Sequence, residues 1–171
     1  GAALGNFAAS SGGAFALPNV SLDPGQFYLV QLGTVGTAGN PLPVMPDAVT
    51  TNLSMSATSG KVALTTAGLG INECGSTASP CSAMQLSFIV DWVAYGAAGN
   101  GTAGNGEGGT SVNNGAPLNN TQGAVRMDNG CQDTNNNNND FDVVSPPIPR
   151  NSMTTAAPCG GASPTPTNTA T

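Results

Sequence analysis

The sequence predicts an all-β chain folded as a β-sandwich, and three observations carry that expectation. No apolar stripe of 3.6-residue period persists for three turns, because Gly and Pro interrupt almost every window. Short apolar or alternating runs recur between turn clusters instead, the pattern of strands that bury one or both faces. The 171 residues suffice for one core, and 24 Gly and 13 Pro supply the turns that many short strands need.

The first strand is announced by the turn Asp23-Pro24-Gly25, where Pro presets φ and Gly tolerates positive φ. It runs over Gln26–Leu32, and because both of its faces are largely apolar it is expected to be an inner strand. After a Gly/Pro loop over residues 33–46, Asn52–Ser56 alternates Leu53 and Met55 with polar neighbours. A turn at Ser59-Gly60 leads into a strand over Lys61–Thr65, with Val62 and Leu64 on one face. Gln85–Tyr95 carries the largest side chains and is expected to be the central core strand. Phe88, Val90, Trp92 and Ala94 would line one face, and Ile89, Asp91, Val93 and Tyr95 the other. A Gly/Asn tract over 96–122 is long enough to be expected functional or mobile. Strand patterning resumes at Gly123–Met127 and Asp140–Val144, until Pro146, Pro147 and Pro149 forbid further ladder pairing. The organisation predicted is a sandwich over residues 1–152 and an extended Ser/Thr/Pro-rich tail over 153–171.

Composition excludes several function classes. Only 7% of residues are charged, against about 25% in ordinary soluble domains, so neutral hydrogen-bonding groups carry the polarity. Three bases (Lys61, Arg126, Arg150) face nine acids for a net charge of −6, so no phosphate-neutralising patch can form and nucleic acid is not an expected partner. The chain has no histidine, which removes the Ser-His-Asp triad, the Cys-His dyad and the His-ligated zinc site; with no paired-carboxylate motif either, no catalytic residue is assigned. No apolar run approaches the 18 or so residues of a membrane span. The first residues lack the basic region that opens a signal peptide, as expected of a mature chain or a fragment whose export signal was removed earlier.

The four cysteines form no C-x-x-C pair, which argues against a metal site and for disulfides in an oxidising, extracellular setting. The expected pairs are Cys74 with Cys81, a local clip around a Gly/Ser/Pro loop, and Cys131 with Cys159, which pins the Pro-rich segment to the domain. A reactive thiol is the rival reading, but no base lies nearby in sequence to stabilise a thiolate. The sharpest constellation is Asp133, Asn135, Asn137 and Asp140, oxygen ligands at positions 1, 3, 5 and 8 of a short loop that could curl around Ca²⁺. The EF-hand glycine and glutamate are missing, and the competing reading is an Asn-rich turn whose amides bond the local backbone. Gly99-Asn-Gly101-Thr-Ala-Gly104 spells G-x-G-x-x-G but runs into more Gly rather than a helix, so no phosphate cradle is expected. Asp91 is read as a structural acid. N-x-[ST] sequons stand at Asn19, Asn52, Asn100 and Asn119, and the Thr-rich tail is the better candidate for glycans.

The segments LDPGQFYLVQLG (22–33), LSMSATSGKVALT (53–65), IVDWVAYGAA (89–98), APLNNTQGAVRMDNGCQDTNNNNNDF (116–141) and PPIPRNS (146–152), in this order, resemble the bacterial lamin tail domain, an immunoglobulin-like sandwich of secreted and surface proteins. The resemblance covers about residues 5–152. It implies a non-catalytic domain used for interaction or surface attachment, often appended to secreted nucleases, phosphatases or other hydrolases. Such domains usually begin with one or two strands ahead of the position corresponding to Gly5, so the resemblance implies that the opening strands are missing or come from another polypeptide. The resulting expectation is a structural subunit that self-associates into a homopolymeric fibre by strand complementation. The alternative is a binding or targeting module of a secreted hydrolase.

Overall fold

The computed structural model describes residues 2–6, 14–33, 40–53, 55–66, 74, 79–99 and 106–160. Strands dominate, and the helices are single turns. In chain order the elements are β1 (Ala2–Asn6), β2 (Ala14–Ala16), β3 (Val30–Leu32), β4 (Ala48–Thr50), β5 (Gly60–Thr66), α1 (Ala83–Leu86), β6 (Ile89–Tyr95), β7 (Gly123–Arg126), α2 (Asn137–Asp140) and β8 (Phe141–Val144). They form a four-stranded sheet in the order β2-β1-β5-β6, a parallel pair β3-β4, and an antiparallel pair β7-β8. Thus residues 2–6, ahead of all five lamin-tail-like segments, take an inner position between β2 and β5.

β5 and β6 position everything that follows. Their antiparallel register places Lys61 opposite Ala94, Ala63 opposite Trp92, Val62 opposite Val93 and Leu64 opposite Asp91; it then slips, so that Thr65 faces Ile89 and Val90 is skipped. A bulge of this kind flips the parity of every residue before it. Ile89 therefore joins Trp92, Ala63, Cys74 and Cys81 in one buried cluster, while Phe88 and Val90, expected on the Trp92 face, are exposed. On β5 the buried set is Lys61, Ala63 and Thr65, and Val62 and Leu64 are only half-buried. The expected buried face of β5 is thus inverted. Among the described residues β6 is also an edge strand of its sheet rather than a central one, although it contributes to both cores.

The opposite face of β6 builds the second core. Val93 and Tyr95 meet Val112, Leu118 and Met55, together with Ala124 of β7 and Phe141 and Val143 of β8. Val112 and Leu118 come from the Gly/Asn tract, whose described part is therefore anchored rather than free: Val112 bridges to Tyr95, and its N–H donates to Ala94 O at 2.9 Å.

Other elements differ from expectation for identifiable reasons. The turn at residues 23–25 forms as expected, with Gly25 at φ +82° and Gln26 N–H donating to Asp23 O. The strand after it shortens to Val30–Leu32, because the N–H of Leu29 is taken by the Asp47 carboxylate at 2.7 Å instead of by a ladder. Asn52–Ser56 supplies the buried Leu53 but no strand; the ladder lies just before it, in β4. Residues 85–86 belong to a helical turn, since Ser82 and Gln85 form a reciprocal capping box that the S-x-x-Q spacing encodes.

Both expected disulfides are present, Cys74–Cys81 and Cys131–Cys159. The second holds residues 153–160 against the body, where Ala157 N–H donates to Gly25 O at 2.9 Å. Gly25 is required here, because a Cβ would collide with the backbone of Ala157 and Pro158.

Candidate functional site

The polar end of the second core gathers most of the described acidic side chains that are not on the surface. Arg126 and Ala124 alternate onto one face of β7, so the guanidinium emerges from the apolar cluster beside Phe141, its cross-strand partner, and stacks on that ring at 4.6 Å. It meets Asp91, which shares a β6 face with Val93, at 2.6 Å, and Asp133 at 3.7 Å, and it donates to Gln132 O at 3.0 Å. Glu107, Asp133 and Asp140 complete the group, with one carboxylate oxygen from each lying within 4.8 Å of the others.

Charge is unbalanced there. Four carboxylates gather around one described guanidinium that touches only two of them, Asp91 and Asp133, and Asp91 Oδ1 is buried with no hydrogen-bond donor among the described residues. Glu107 responds most strongly: burial pushes its carboxyl up to about 8, the charges of Asp91 and Asp133 add to the shift, and Arg126 opposes it. Either a proton on Glu107 or a bound cation relieves this repulsion.

In the Asn-rich segment, the side chains of Asn136, Asn137, Asn138 and Asp140 each have a defined job. Asn137, fully buried, accepts from Ala94 N–H at 2.8 Å and donates to Trp92 O at 3.1 Å and to Glu107 Oε2 at 3.2 Å. Its amide thus behaves as a short extra strand along the outer edge of β6, where unpaired backbone groups are costly. Asn136 caps α2 by accepting from the N–H groups of Asn138 and Asn139. Gly108 passes so close that a Cβ would strike the Asn136 side chain, and it holds φ +67°. Asn138 Oδ1 accepts from Asn114 N–H at 2.7 Å, fastening the segment to the Gly/Asn tract. Asp140, also fully buried, organises the preceding loop by accepting from Thr134 N–H and Oγ1 and from Asn136 N–H.

Of the four residues proposed from spacing as Ca²⁺ ligands, Asp133 and Asp140 come together, Asn135 is exposed at φ +55°, and Asn137 is committed to β6. The donor set Glu107, Asp133 and Asp140 fits a hard cation: oxygens within 4.8 Å of one another are compatible with ligand distances of about 2.4 Å, and an orphaned carboxylate oxygen lies beside them. Sequence spacing missed Glu107. Its one available signal was an isolated acid, one of two glutamates in the chain, inside an otherwise uncharged tract.

A second feature adjoins β7. An open groove of about 250 Å³ runs between Phe27–Tyr28, Ala124–Arg126 and Ile148–Arg150. Arg150 stacks on the Phe27 ring at 4.0 Å and donates to Asn129 O at 3.3 Å, with no carboxylate partner among the described residues. Compared with protein-family models, with curated proteins and with solved structures, the chain matches none of them.

Proposed function

We propose that the chain is a non-catalytic extracellular structural protein, a lamin-tail-like, immunoglobulin-like sandwich whose copies associate into a fibre by adding strands to one another's sheets. The observation that carries this reading is an imbalance of apolar surface: among the described residues ten large apolar side chains are exposed, including Met45, Val49, Phe88, Val90 and Ile148, while the large buried ones are Leu53, Ile89, Trp92, Tyr95, Val112 and Leu118. Two of the three sheets have two strands each, and the third ends on a three-residue strand, β2. Two-stranded units of this size are marginal alone, and pairing with a neighbour would cover both backbone edge and apolar surface. Head-to-tail contacts that do not close give a filament. In this reading the disulfides suit an oxidising exterior, and Ca²⁺ held by Glu107, Asp133 and Asp140 would stiffen the approach to β8.

The groove beside Arg150 favours a second reading, a binding or targeting module of a secreted hydrolase, since an aromatic-flanked guanidinium without a carboxylate partner suits an anionic ligand. Sedimentation and electron microscopy of the purified chain separate the two. The fibre reading expects concentration-dependent polymers. A stable monomer at high concentration overturns it and leaves the module.

A further inference from the structure

The short turn between the second core and β7 carries a chemistry that neither reading uses. Leu118 is buried and anchors the chain before the turn; Asn119, Asn120 and Thr121 then stand exposed, and Gln122 N–H closes the turn on Asn119 O at 3.1 Å before β7 begins at Gly123. Ser145, at the end of β8, donates its hydroxyl to Thr121 O at 2.9 Å and ties the turn to the body. Within it Asn119 Oδ1 accepts two hydrogen bonds from one residue, from Thr121 N–H at 2.9 Å and from Thr121 Oγ1 at 2.8 Å. The side chain is thereby held in an Asx-turn, with its carbonyl oxygen turned inward. Its Nδ2 makes no hydrogen bond among the described residues, and both N–H groups are left to solvent.

We infer that Asn119 is a glycan attachment site, with the Asn119–Thr121 turn presenting Nδ2 for N-linkage to a sugar. An amide nitrogen is a poor nucleophile because its lone pair is delocalised into the carbonyl. Two donors on Oδ1 stabilise the form in which negative charge sits on that oxygen and Nδ2 gives up a proton, and one of the two is the hydroxyl that an N-x-[ST] sequon requires two residues on. In the transfer, Nδ2 bonds to the anomeric carbon of a sugar carried on a polyprenyl phosphate. The anomeric C–O bond breaks with its electron pair leaving on the phosphate, and one Nδ2 proton passes to a base of the transferase. The adduct would project from an exposed turn and displace no core residue.

The other sequons lack this arrangement. Asn19 and Ser21 are exposed, but no hydrogen bond joins them among the described residues. Asn52 directly precedes the buried Leu53, its N–H is engaged by Thr50 Oγ1 at 3.1 Å, and Ser54 lies outside the described residues, as do Asn100 and its hydroxyl partner Thr102.

The test is peptide mapping of the chain purified from the cells that make it, with an amidase that removes N-linked sugars in ¹⁸O water and so marks each formerly glycosylated Asn as ¹⁸O-labelled Asp. The expected result is label and sugar fragment ions on the peptide containing Asn119. Asn119→Gln and Thr121→Ala, both at exposed positions, should lose the modification, and Thr121→Ser should keep it. Native material in which Asn119 is wholly unmodified, sugar confined to Asn19 or the tail, or full occupancy in Thr121→Ala would each overturn the inference.

Discussion

The two sides of β6 are held by different physics. On one side Trp92 and Ile89 pack with Ala63 and the Cys74–Cys81 disulfide, an apolar cluster whose stability follows from area removed from water. On the other, apolar packing around Tyr95 gives way within a few residues to Asn137, Asp140, Glu107, Asp91 and Arg126, buried or half-buried groups satisfied mainly by one another and by backbone. A chain with 7% charged residues and a modest supply of large apolar side chains can close its second side in this way only if nearly every polar group finds a partner. Apolar packing tolerates local adjustment, whereas the network depends on individual atoms.

The largest effect is expected on the apolar side. Trp92→Ala should cost about 3–5 kcal/mol by truncating the biggest side chain of that cluster, read as a lower urea midpoint with an unchanged slope. Next comes the polar side: Asn137→Ala removes the amide that bonds Ala94 N–H and Trp92 O, for about 2–4 kcal/mol, and Asn137→Leu, close in volume, should fail to restore the loss. If Asn137→Leu is as stable as the parent, the distinction between the two sides is wrong.

Lys61 sharpens the comparison, being a buried amine on the same face as Ala63 with no ion pair among the described residues. Burial lowers its ammonium to about 8 from an ordinary 10.5. Between those values the unfolded chain holds a proton that the folded chain does not, so the lysine contribution to stability rises with pH across that window and is least favourable below it. Lys61→Met should therefore raise the stability at pH 7 by about 1 kcal/mol or more, read as a higher melting temperature, and abolish the rise between pH 8 and 10.5. The smallest effect is expected from Ca²⁺. Saturation at ten times its dissociation constant would add about 1.4 kcal/mol, and Glu107→Gln should remove the gain. Melting curves identical in Ca²⁺ and in chelator would leave the cluster neutralised by a proton.

Much of the fold was legible where a local rule decides the outcome. Asp23-Pro24-Gly25 makes its turn, the cysteines pair as their spacing suggests, and β5, β7 and β8 lie where alternation or turn chemistry places them. The faces were less legible. A bulge that leaves Val90 of β6 unpaired opposite Leu64/Thr65 reverses which β6 residues before it are buried, and a bulge is set by cross-strand register rather than by any run of residues. The site was half legible: Asp133 and Asp140 share a loop, but Glu107 arrives from a Gly-rich tract 26 residues before Asp133, and Asn137 is drawn away by two backbone groups of a strand more than 40 residues distant.

What the amino-acid sequence determined by itself is the class of the chain: strand-rich, broken by Gly and Pro, weakly charged, free of histidine and carrying two disulfide pairs, because propensity, turn chemistry and composition act over a few residues at a time. Tertiary structure decided which faces are buried, that β6 forms, among the described residues, an edge closed by an asparagine side chain, and that Glu107 converges with Asp133 and Asp140 from a distant segment near Arg126. Those outcomes depend on register and on the partners available to buried polar atoms. Both are properties of the packed chain, and no local window contains them.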